Sequence, residues 1–229
     1  MTYDRNEYRS NQTLDYISIF YPELKKEFKE CKVLDVGCGS GTVAISLARY
    51  AKCVLGIDPF AEDVIKAREE AEKQSVANAR FAVMSAYDLK ASGEYDVVVL
   101  SDVLEHVPDQ AGLLSRCLAA LAPGGVLYLN TPNKWFPMEP HKKLLFLSYM
   151  PKKLANKYAV AFGSSVYEGY HLLSYRELLG LLDSIPVTYN FKTQPNPRRR
   201  MYRIGNRLVT NAPFLWRFAN AFQVVIQHK

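Results

Sequence analysis

Three glycines separated by single residues are the first feature of this chain that suggests chemistry. Gly37, Gly39 and Gly41 follow Val33-Leu-Asp-Val36, a short apolar run typical of a buried strand, and precede Thr42 to Tyr50, whose pattern indicates a helix. Glycine is needed where the backbone takes a positive φ or comes within contact distance of a ligand. The start of the helix adds unpaired N–H groups and the positive end of a dipole. The turn is therefore predicted to receive an anionic or carbonyl-rich ligand.

The spacing of these glycines bears on which nucleotide they could bind. The dinucleotide fingerprint G-x-G-x-x-G would place its third glycine at position 42, where this chain has Thr42. The spacing in this chain is G-x-G-x-G instead. A dehydrogenase site is therefore disfavoured, and a purely structural turn is the alternative to a cofactor site.

An acidic residue ends the next apolar run. Cys53-Val-Leu-Gly-Ile-Asp58 stops on a carboxylate 17 residues after Gly41. In nucleotide-binding βαβ units, an acid at this point accepts hydrogen bonds from the ribose hydroxyls. The alternative is a helix cap, because Pro59 and the residues after it start a helix. We favour the ribose role because the glycine turn precedes it.

Three later segments complete a pattern of strands that end in polar loops. Ala79 to Met84 leads into Ser85-Ala-Tyr-Asp-Leu89, and Tyr95-Asp-Val-Val-Val-Leu100 leads into Ser101 to Asp109. The second of these runs is continuous and β-branched, which is typical of a strand buried on both faces. Pro123-Gly-Gly125 is predicted to form the tight turn before a fifth strand. Parallel strands joined by helices form a doubly wound sheet that binds ligands at the carboxyl ends of its strands.

These segments, in this order over about residues 31 to 133, resemble the class I S-adenosylmethionine-dependent methyltransferases of the small-molecule type. The segments YDVVVLSDVLEHVPD and LAPGGVLYL resemble in particular those that O-methylate quinone precursors. The resemblance implies an α/β, Rossmann-like fold with a doubly wound, mostly parallel seven-stranded sheet whose last strand is antiparallel. It implies S-adenosyl-L-methionine as the cofactor. After the fifth predicted strand, the pattern of the sequence loosens into a segment rich in aromatic, proline and basic residues, which we expect to be a helical insertion.

The resemblance also implies which residues contact the cofactor. The glycine turn would pack under the methionine portion, and the loop after the third strand would lie along the adenine edge. Relatives commonly have an acid directly after that strand, where this chain has Ser85; Ser85, Tyr87 or Asp88 would replace it. The implied cofactor-binding residues are Asp35, Gly37, Cys38, Gly39, Gly41, Asp58, Pro59, Ser85, Ala86, Tyr87, Ser101, Asp102 and His106.

Three histidines are candidate catalytic residues, because methyl transfer to a hydroxyl group requires removal of a proton. His106 follows the fourth predicted strand, close to where the methyl group should project. Its alternative role is to shape the pocket. His141 and His171 flank the predicted insertion and could act as a base or contact the substrate.

A metal site is a second interpretation of the residues around His106. In quinone-precursor O-methyltransferases an acid followed by Glu-His has been read as a set of metal ligands, and Asp102, Glu105 and His106 match it. On a helix these residues would share one face, and two carboxylates with an imidazole suit a hard divalent ion. A capping aspartate and a pocket-lining Glu-His pair explain the same residues, so we assign no metal ligand.

The whole chain is predicted to form one methyltransferase domain, residues 1–229. Within it we expect an N-terminal helical lid (1–30), a cofactor-binding core (31–133), a substrate-covering insertion (134–171) and a C-terminal part (172–229). The C-terminal part should begin with a helix, because Ser174 and Glu177 form a capping box. Two alternating runs, Pro186 to Thr193 and Gln223 to Gln227, are its predicted strands.

The charge is distributed unevenly along the chain. Residues 1–133 hold 14 Lys/Arg and 19 Asp/Glu, whereas residues 134–229 hold 15 and 4. Within 192–222, Arg198-Arg-Arg200 and a following aromatic stretch could contact an anionic membrane or a lipid-linked substrate. A helix packed on the sheet, with a solvated arginine loop, is the alternative. RNA is disfavoured because no RNA-binding module accompanies the arginines.

The N-terminus is polar, and no run of 18 uncharged apolar residues occurs, which together predict a soluble cytoplasmic protein with at most peripheral membrane contact. The four scattered cysteines fit buried thiols in a reducing compartment. We expect an enzyme that O-methylates a small-molecule or lipid/glycan-linked hydroxyl acceptor. The alternative is a non-catalytic cofactor-binding adaptor that uses its basic half on a membrane or RNA.

Overall fold

The structure of the chain, a computed structural model, describes residues 21–24, 26–90, 93–139, 141–165, 170–192, 219 and 221–228. Strands and helices alternate along most of this part of the chain. The strands are β1 (Lys32–Val36), β2 (Cys53–Asp58), β3 (Ala79–Val83), β4 (Tyr95–Ser101), β5 (Leu121–Pro132), β6 (Val187–Lys192) and β7 (Ala221–His228). The α-helices are α1 (Thr42–Ala48), α2 (Ala61–Lys73), α3 (Gln110–Ala119), α4 (Lys152–Ala161) and α5 (Tyr175–Asp183).

The strands form one seven-stranded sheet in the order β3-β2-β1-β4-β5-β7-β6. Neighbours from β3 to β5 pair in parallel, whereas β7 runs antiparallel to both β5 and β6. This confirms the predicted doubly wound sheet with an antiparallel last strand. The strand order reverses between β1 and β4, so the carboxyl ends of these two strands flank the crevice where such sheets bind ligands.

Each face of the sheet has its own hydrophobic core. Successive residues of β1 point to opposite faces, so Val33 lies in the core with Ala44 and Val64, whereas Leu34 lies in the core with Leu113. Val33 and Leu34 are both fully buried. Burial of a side chain of this size stabilises the fold by roughly 1.5–3 kcal/mol. The apolar runs noted in the sequence are therefore strands covered by helices on both sides.

The first described residues enter the sheet from its amino-terminal edge. Phe28 is buried in the core just before β1, and Lys26 pairs with Asp96 at 3.2 Å near the start of β4. The Lys32 backbone N–H also donates to the Asp96 carboxylate at 2.8 Å. Residues 26–30 thus lie at the edge opposite the glycine turn. Of the lid predicted for residues 1–30, positions 1–20 and 25 lie outside the described residues, so the lid over the cofactor stays a prediction.

The insertion after β5 is helical, as predicted. It contains an antiparallel bridge between Met138 and Leu145, a short 3-10 helix (Leu147–Tyr149) and α4. Leu147 and two alanines of α4 are fully buried together in a small core of their own. The insertion is therefore a compact substructure packed beside the sheet.

The C-terminal part begins with the predicted capping box. The Ser174 hydroxyl accepts from the Glu177 N–H, and the Glu177 carboxylate accepts from the Ser174 N–H at 2.7 Å. The strands β6 and β7 confirm the two predicted alternating runs. The arginine cluster 198–200 and the aromatic stretch that follows it lie outside the described residues.

No helix among the described residues is both long enough and apolar enough to cross a bilayer.

Candidate functional site

The glycine turn has the backbone geometry that its sequence predicted. Gly37, Gly39 and Gly41 all have positive φ, at 70°, 49° and 79°. A methyl group added to Gly37 would lie 2.4 Å from the Val103 side chain, whereas one added to Gly39 would meet no atom within 4 Å. Gly37 is therefore required by packing. Gly39 leaves open space where a ligand can approach the backbone.

Asp58 ties the glycine turn to the end of β2. Its Oδ2 accepts from the Gly39 N–H at 2.9 Å, and its Oδ1 accepts from the Phe60 N–H at 2.9 Å. The residue is 6% exposed, and Phe60 rather than Asp58 occupies the N-cap position of α2. Each carboxylate oxygen keeps a further lone pair for a hydroxyl donor. The ribose contact of Asp58 and the neighbouring Pro59 stays a prediction that this geometry allows.

Asp35 is a buried acid between β1 and α1. It is 2% exposed, and its Oδ2 makes no hydrogen bond among the described residues. Burial raises the pKa of Asp35 to about 7, the Ala44 N–H lowers it, and the Asp58 carboxylate raises it further. An unpaired buried oxygen at the base of the turn suits a cationic or hydrogen-donating part of a ligand. Cys38 is 8% exposed and its side chain packs into the core, so its backbone faces the turn.

The loop after β3 joins the same end of the sheet. The Met84 N–H donates to the Asp58 carbonyl at 3.0 Å, which places Ser85, Ala86 and Tyr87 beside Asp58. The Ser85 hydroxyl caps a 3-10 helix, Ala86–Asp88, by accepting from the Tyr87 N–H. The Tyr87 hydroxyl donates to the Asp109 carbonyl at 2.8 Å. The loop is thus tied to the loop after β4.

Asp102 does not share a helical face with Glu105 and His106. It has a positive φ of 57°, and the 3-10 helix that contains the other two begins only at Leu104. The Asp102 carboxylate accepts from the Asn130 amide at 2.9 Å and from the Ser101 hydroxyl at 3.3 Å. The prediction of a common helical face is wrong, because the backbone turns at Asp102 and directs the Asp102 carboxylate toward β5.

Glu105 is a fully buried carboxylate with one unsatisfied oxygen. Its Oε2 accepts from the Thr131 hydroxyl at 3.2 Å, whereas its Oε1 makes no hydrogen bond among the described residues. That Oε1 lies 3.9 Å from Nε2 of His106 and 3.9 Å from Nε2 of His141. Burial raises the pKa of Glu105 to about 7. The structure therefore brings two of the three predicted histidines to one buried acid.

His141 has a second carboxylate partner in the insertion. Its Nδ1 lies 2.9 Å from Oε1 of Glu139. Glu139 is fully buried, and its Oε2 accepts from the Lys142 N–H at 2.5 Å. The hydrogen bond with Glu139 raises the pKa of His141, whereas burial and the neighbouring His141 lower the pKa of His106. Tyr170 stacks on His141 with ring centroids 4.0 Å apart.

His171 lies beside this cluster through its backbone. Its N–H donates to the Glu105 carbonyl at 2.8 Å, and its own carbonyl accepts from the Gln110 amide at 2.8 Å. It also lines a cavity of about 350 Å³ together with Tyr170 and Lys134. The structure therefore places His171 at the rim of the site, with its backbone holding the loop of Glu105.

Glu105, His106 and His141 could also hold a divalent cation, since their ligand atoms lie within 4.8 Å of one another. This set differs from the one that the sequence suggested, because it contains His141 in place of Asp102. The sequence interpretation missed Glu139, Thr131 and Tyr170. The only signal for Glu139 was its position two residues before His141, in an insertion with no recognisable motif.

Comparison with known proteins identifies the family of the chain. A family model described as a methyltransferase domain matches residues 5–184. The ubiquinone biosynthesis O-methyltransferase of Acinetobacter baylyi is 40% identical over 105 residues, which make up 45% of this chain and 44% of that protein. The protein of the same name from Psychrobacter cryohalolentis is 42% identical over 106 residues, 45% of this chain and 41% of that protein. The chain spans less than half the length of these relatives.

Solved structures show the same fold at low identity. A magnesium protoporphyrin IX methyltransferase from Synechocystis PCC 6803, with bound SAM, gives a TM-score of 0.60 at 15% identity and covers 96% of this chain and 79% of that one. A plantazolicin methyltransferase in complex with a pentazolic analogue and SAH gives 0.64 at 19% identity, covering 99% and 86%. The chain belongs to the methyltransferase-domain family, within the class I S-adenosylmethionine-dependent methyltransferases.

Proposed function

We propose that the chain transfers the methyl group of S-adenosylmethionine to a hydroxyl group of a small-molecule or lipid/glycan-linked acceptor. The family supports methyl transfer, and the names of the partial relatives support an oxygen acceptor. The observation that carries the proposal is the Glu139–His141 hydrogen bond beside the loop after β4. A hydroxyl acceptor must lose a proton, and a histidine oriented by a carboxylate is suited to take it.

The glycine turn and Asp35 fit the methionine end of the cofactor. S-adenosylmethionine supplies a methyl group activated on a sulfonium, together with an amino group, a carboxylate and an adenosine. The open space over Gly39 admits the ligand, and the unpaired Asp35 oxygen suits an amino group. Asp58 offers lone pairs for ribose hydroxyls, next to the Ser85 loop assigned to the adenine. Ser101, Asp102 and His106 would border the methyl group from the loop after β4.

His141 is our choice of general base. Its Nδ1 is engaged by Glu139, which fixes the ring and leaves Nε2 for the acceptor hydroxyl. The side chain is 24% exposed, so an acceptor can reach it, whereas the carboxylates on either side of it are fully buried. His106 has no comparable partner on its ring, and its edge contacts Tyr170 and His141. We assign His106 to shaping the pocket.

Product formation tests the proposal. The full chain would be incubated with methyl-labelled S-adenosylmethionine and a cell extract, and the labelled metabolite identified by mass spectrometry. We expect a product that carries its label on oxygen, formed much more slowly with His141→Ala. Label on carbon or nitrogen would overturn the acceptor chemistry. Absence of any product, with cofactor binding intact, would favour the adaptor alternative.

A further inference from the structure

The insertion between β5 and α5 exposes most of the large apolar side chains on the described surface. Eleven such side chains are exposed among the described residues, and eight of them lie between positions 135 and 162. Their exposed fractions range from 42% to 66%. Single exposed apolar residues are ordinary, but a group of them marks an interaction surface. The insertion therefore presents a surface that the fold itself does not use.

Five of these side chains are neighbours in space as well as in sequence. The Tyr149 ring lies 5.1 Å from the Trp135 ring and 5.6 Å from the Phe146 ring, measured between centroids. Met138 and Leu145 pair across the antiparallel bridge of the same loop. We refer to Trp135, Met138, Leu145, Phe146 and Tyr149 as the apolar cluster.

Phe146 is held outward by an unusual backbone conformation. Its φ is 59°, a value that non-glycine residues rarely adopt, and its side chain is 51% exposed. The ring contacts Tyr149 but leaves about half of its surface exposed, so packing within the chain offsets only part of the strain. Its position is explained if the ring is buried by a partner outside the fold.

The charge around the apolar cluster is positive. Residues 134–165 hold six lysines and one acid, Glu139, which is fully buried against His141. Four lysines of this segment are exposed and form no ion pair among the described residues: Lys143, Lys152, Lys153 and Lys157. A partner that complements this surface therefore presents negative charge beside an apolar region.

The exposed side of helix α4 also carries both apolar and basic side chains. Ala155 and Ala159, four residues apart, are buried, whereas Lys153, Lys157 and Val160 are exposed. Positions 153, 157 and 160 recur at helical spacing and share one face. The outward face of α4 is thus both apolar and basic, which is typical of helices that lie in a membrane interface.

We propose that the insertion docks on an anionic lipid bilayer, with the apolar cluster in the headgroup boundary and the lysines on the lipid phosphates. Tryptophan and tyrosine favour this boundary because each joins an apolar ring to a polar group. The docking does not depend on the proposed methyl transfer. If both hold, the insertion that carries Glu139 and His141 lies where a lipid-linked acceptor is found.

Vesicle co-sedimentation of the full chain tests the proposal. We expect binding to phosphatidylcholine vesicles that contain phosphatidylserine, and much weaker binding to phosphatidylcholine alone. Leu145→Ser with Phe146→Asn should lower the partition coefficient about tenfold or more, since two apolar side chains leave the bilayer. Asparagine tolerates the positive φ at 146. The matched control is Ile65→Ser on α2, which removes an aliphatic side chain that is also 51% exposed and should leave binding unchanged.

Replacing two exposed lysines tests the docking a second time, without changing a residue of the small core of the insertion. Lys152→Gln with Lys153→Gln should weaken binding to the anionic vesicles by about tenfold, whereas Lys52→Gln with Lys73→Gln should not. Binding of S-adenosylhomocysteine without vesicles, with thermal melting, shows that each variant is folded. If the variant of Leu145 and Phe146 does not melt cooperatively, vesicle binding of the variant of Lys152 and Lys153 decides whether the insertion docks on the bilayer.

Three results would overturn the proposal. The wild type could fail to bind the anionic vesicles, or both variants could bind as it does. Binding could also be lost only in a chain with Arg198, Arg199 and Arg200 all changed to glutamine, which would place the contact in the C-terminal part. Loss of methyl transfer with vesicle binding intact would contradict the proposed function and leave the docking standing.

Discussion

The imidazole of His141 and the carboxylate of Glu139 are joined by a 2.9 Å contact between Nδ1 and Oε1, and both residues belong to the insertion rather than to the sheet. The sheet contributes the buried carboxylate of Glu105, 3.9 Å from the other nitrogen of His141. The reacting end that we propose is thus assembled from two parts of the chain. We assign cofactor binding to the core and proton removal from the acceptor to the insertion.

The glycine turn should be intolerant of substitution for a reason of packing. Gly37→Ala places a methyl group 2.4 Å from Val103 at a φ of 70°, so we expect a loss of stability on the order of 3 kcal/mol. Gly163→Ala is the matched control, because its φ is 74° and nothing lies within 4 Å. Its expected cost is about 1 kcal/mol from strain alone. Urea denaturation measures both, and equal losses would contradict the packing argument.

Cofactor affinity should depend on Asp58. Asp58→Ala removes the acceptor of the Gly39 N–H and the proposed ribose partner, so the affinity for S-adenosylhomocysteine should fall by about tenfold or more. Asp63→Ala, which removes a partly exposed acid of α2 that pairs with Lys66, serves as the control. Isothermal titration calorimetry measures both. Equal affinity in the Asp58 variant and the wild type would remove Asp58 from the cofactor site.

Asp35 should make the cofactor-free protein less stable as the pH rises. Burial raises the pKa of Asp35 to about 7 from an ordinary value of 3.8. Its stabilising contribution is present when the carboxyl is protonated in both states, below about pH 4, and is lost as pH rises through 7. The full difference is on the order of 4 kcal/mol.

The variant Asp35→Asn isolates this effect, because it keeps an acceptor for the Ala44 N–H and cannot ionise. Its stability relative to the wild type should improve between pH 5 and pH 8 (roughly the range in which Asp35 loses its proton). Urea unfolding at the two pH values measures the difference, with Asp63→Asn as the control. The same relative stability at both pH values would show that Asp35 does not titrate in this range.

Methyl transfer should not require a divalent ion. The base assignment uses only Glu139 and His141, although Glu105, His106 and His141 have ligand atoms within 4.8 Å of one another. Dialysis against a strong chelator should therefore leave the rate of product formation unchanged. If the chelator abolishes activity and one divalent metal restores it, the cluster is a metal centre and His141 is a ligand.

The core of this protein was predictable because its signals are local. The burial of β1 on both faces, the positive φ of Gly39 and the capping box of Ser174 each follow from a few adjacent residues. The doubly wound sheet was also predictable, since parallel strands joined by helical crossovers require it.

The reacting end was less predictable because it depends on contacts between distant segments. Glu139 pairs with His141 in a loop that has no hydrophobic period, and Glu105 approaches His141 only after the insertion packs on the sheet. The common face expected for Asp102 and Glu105 assumed a helix, whereas the backbone turns at Asp102 with a φ of 57°. A residue pattern alone does not show such a turn at a non-glycine residue.

Single-turnover kinetics of the Glu139 and His141 variants test whether His141 is the general base. With the acceptor found in the extract experiment, His141→Ala should slow methyl transfer by roughly 10²–10⁴-fold, and Glu139→Gln by about tenfold. Cofactor affinity should be unchanged in both, and His171→Ala should react at the wild-type rate. A wild-type rate in His141→Ala would show that His141 is not the base and that the base lies elsewhere.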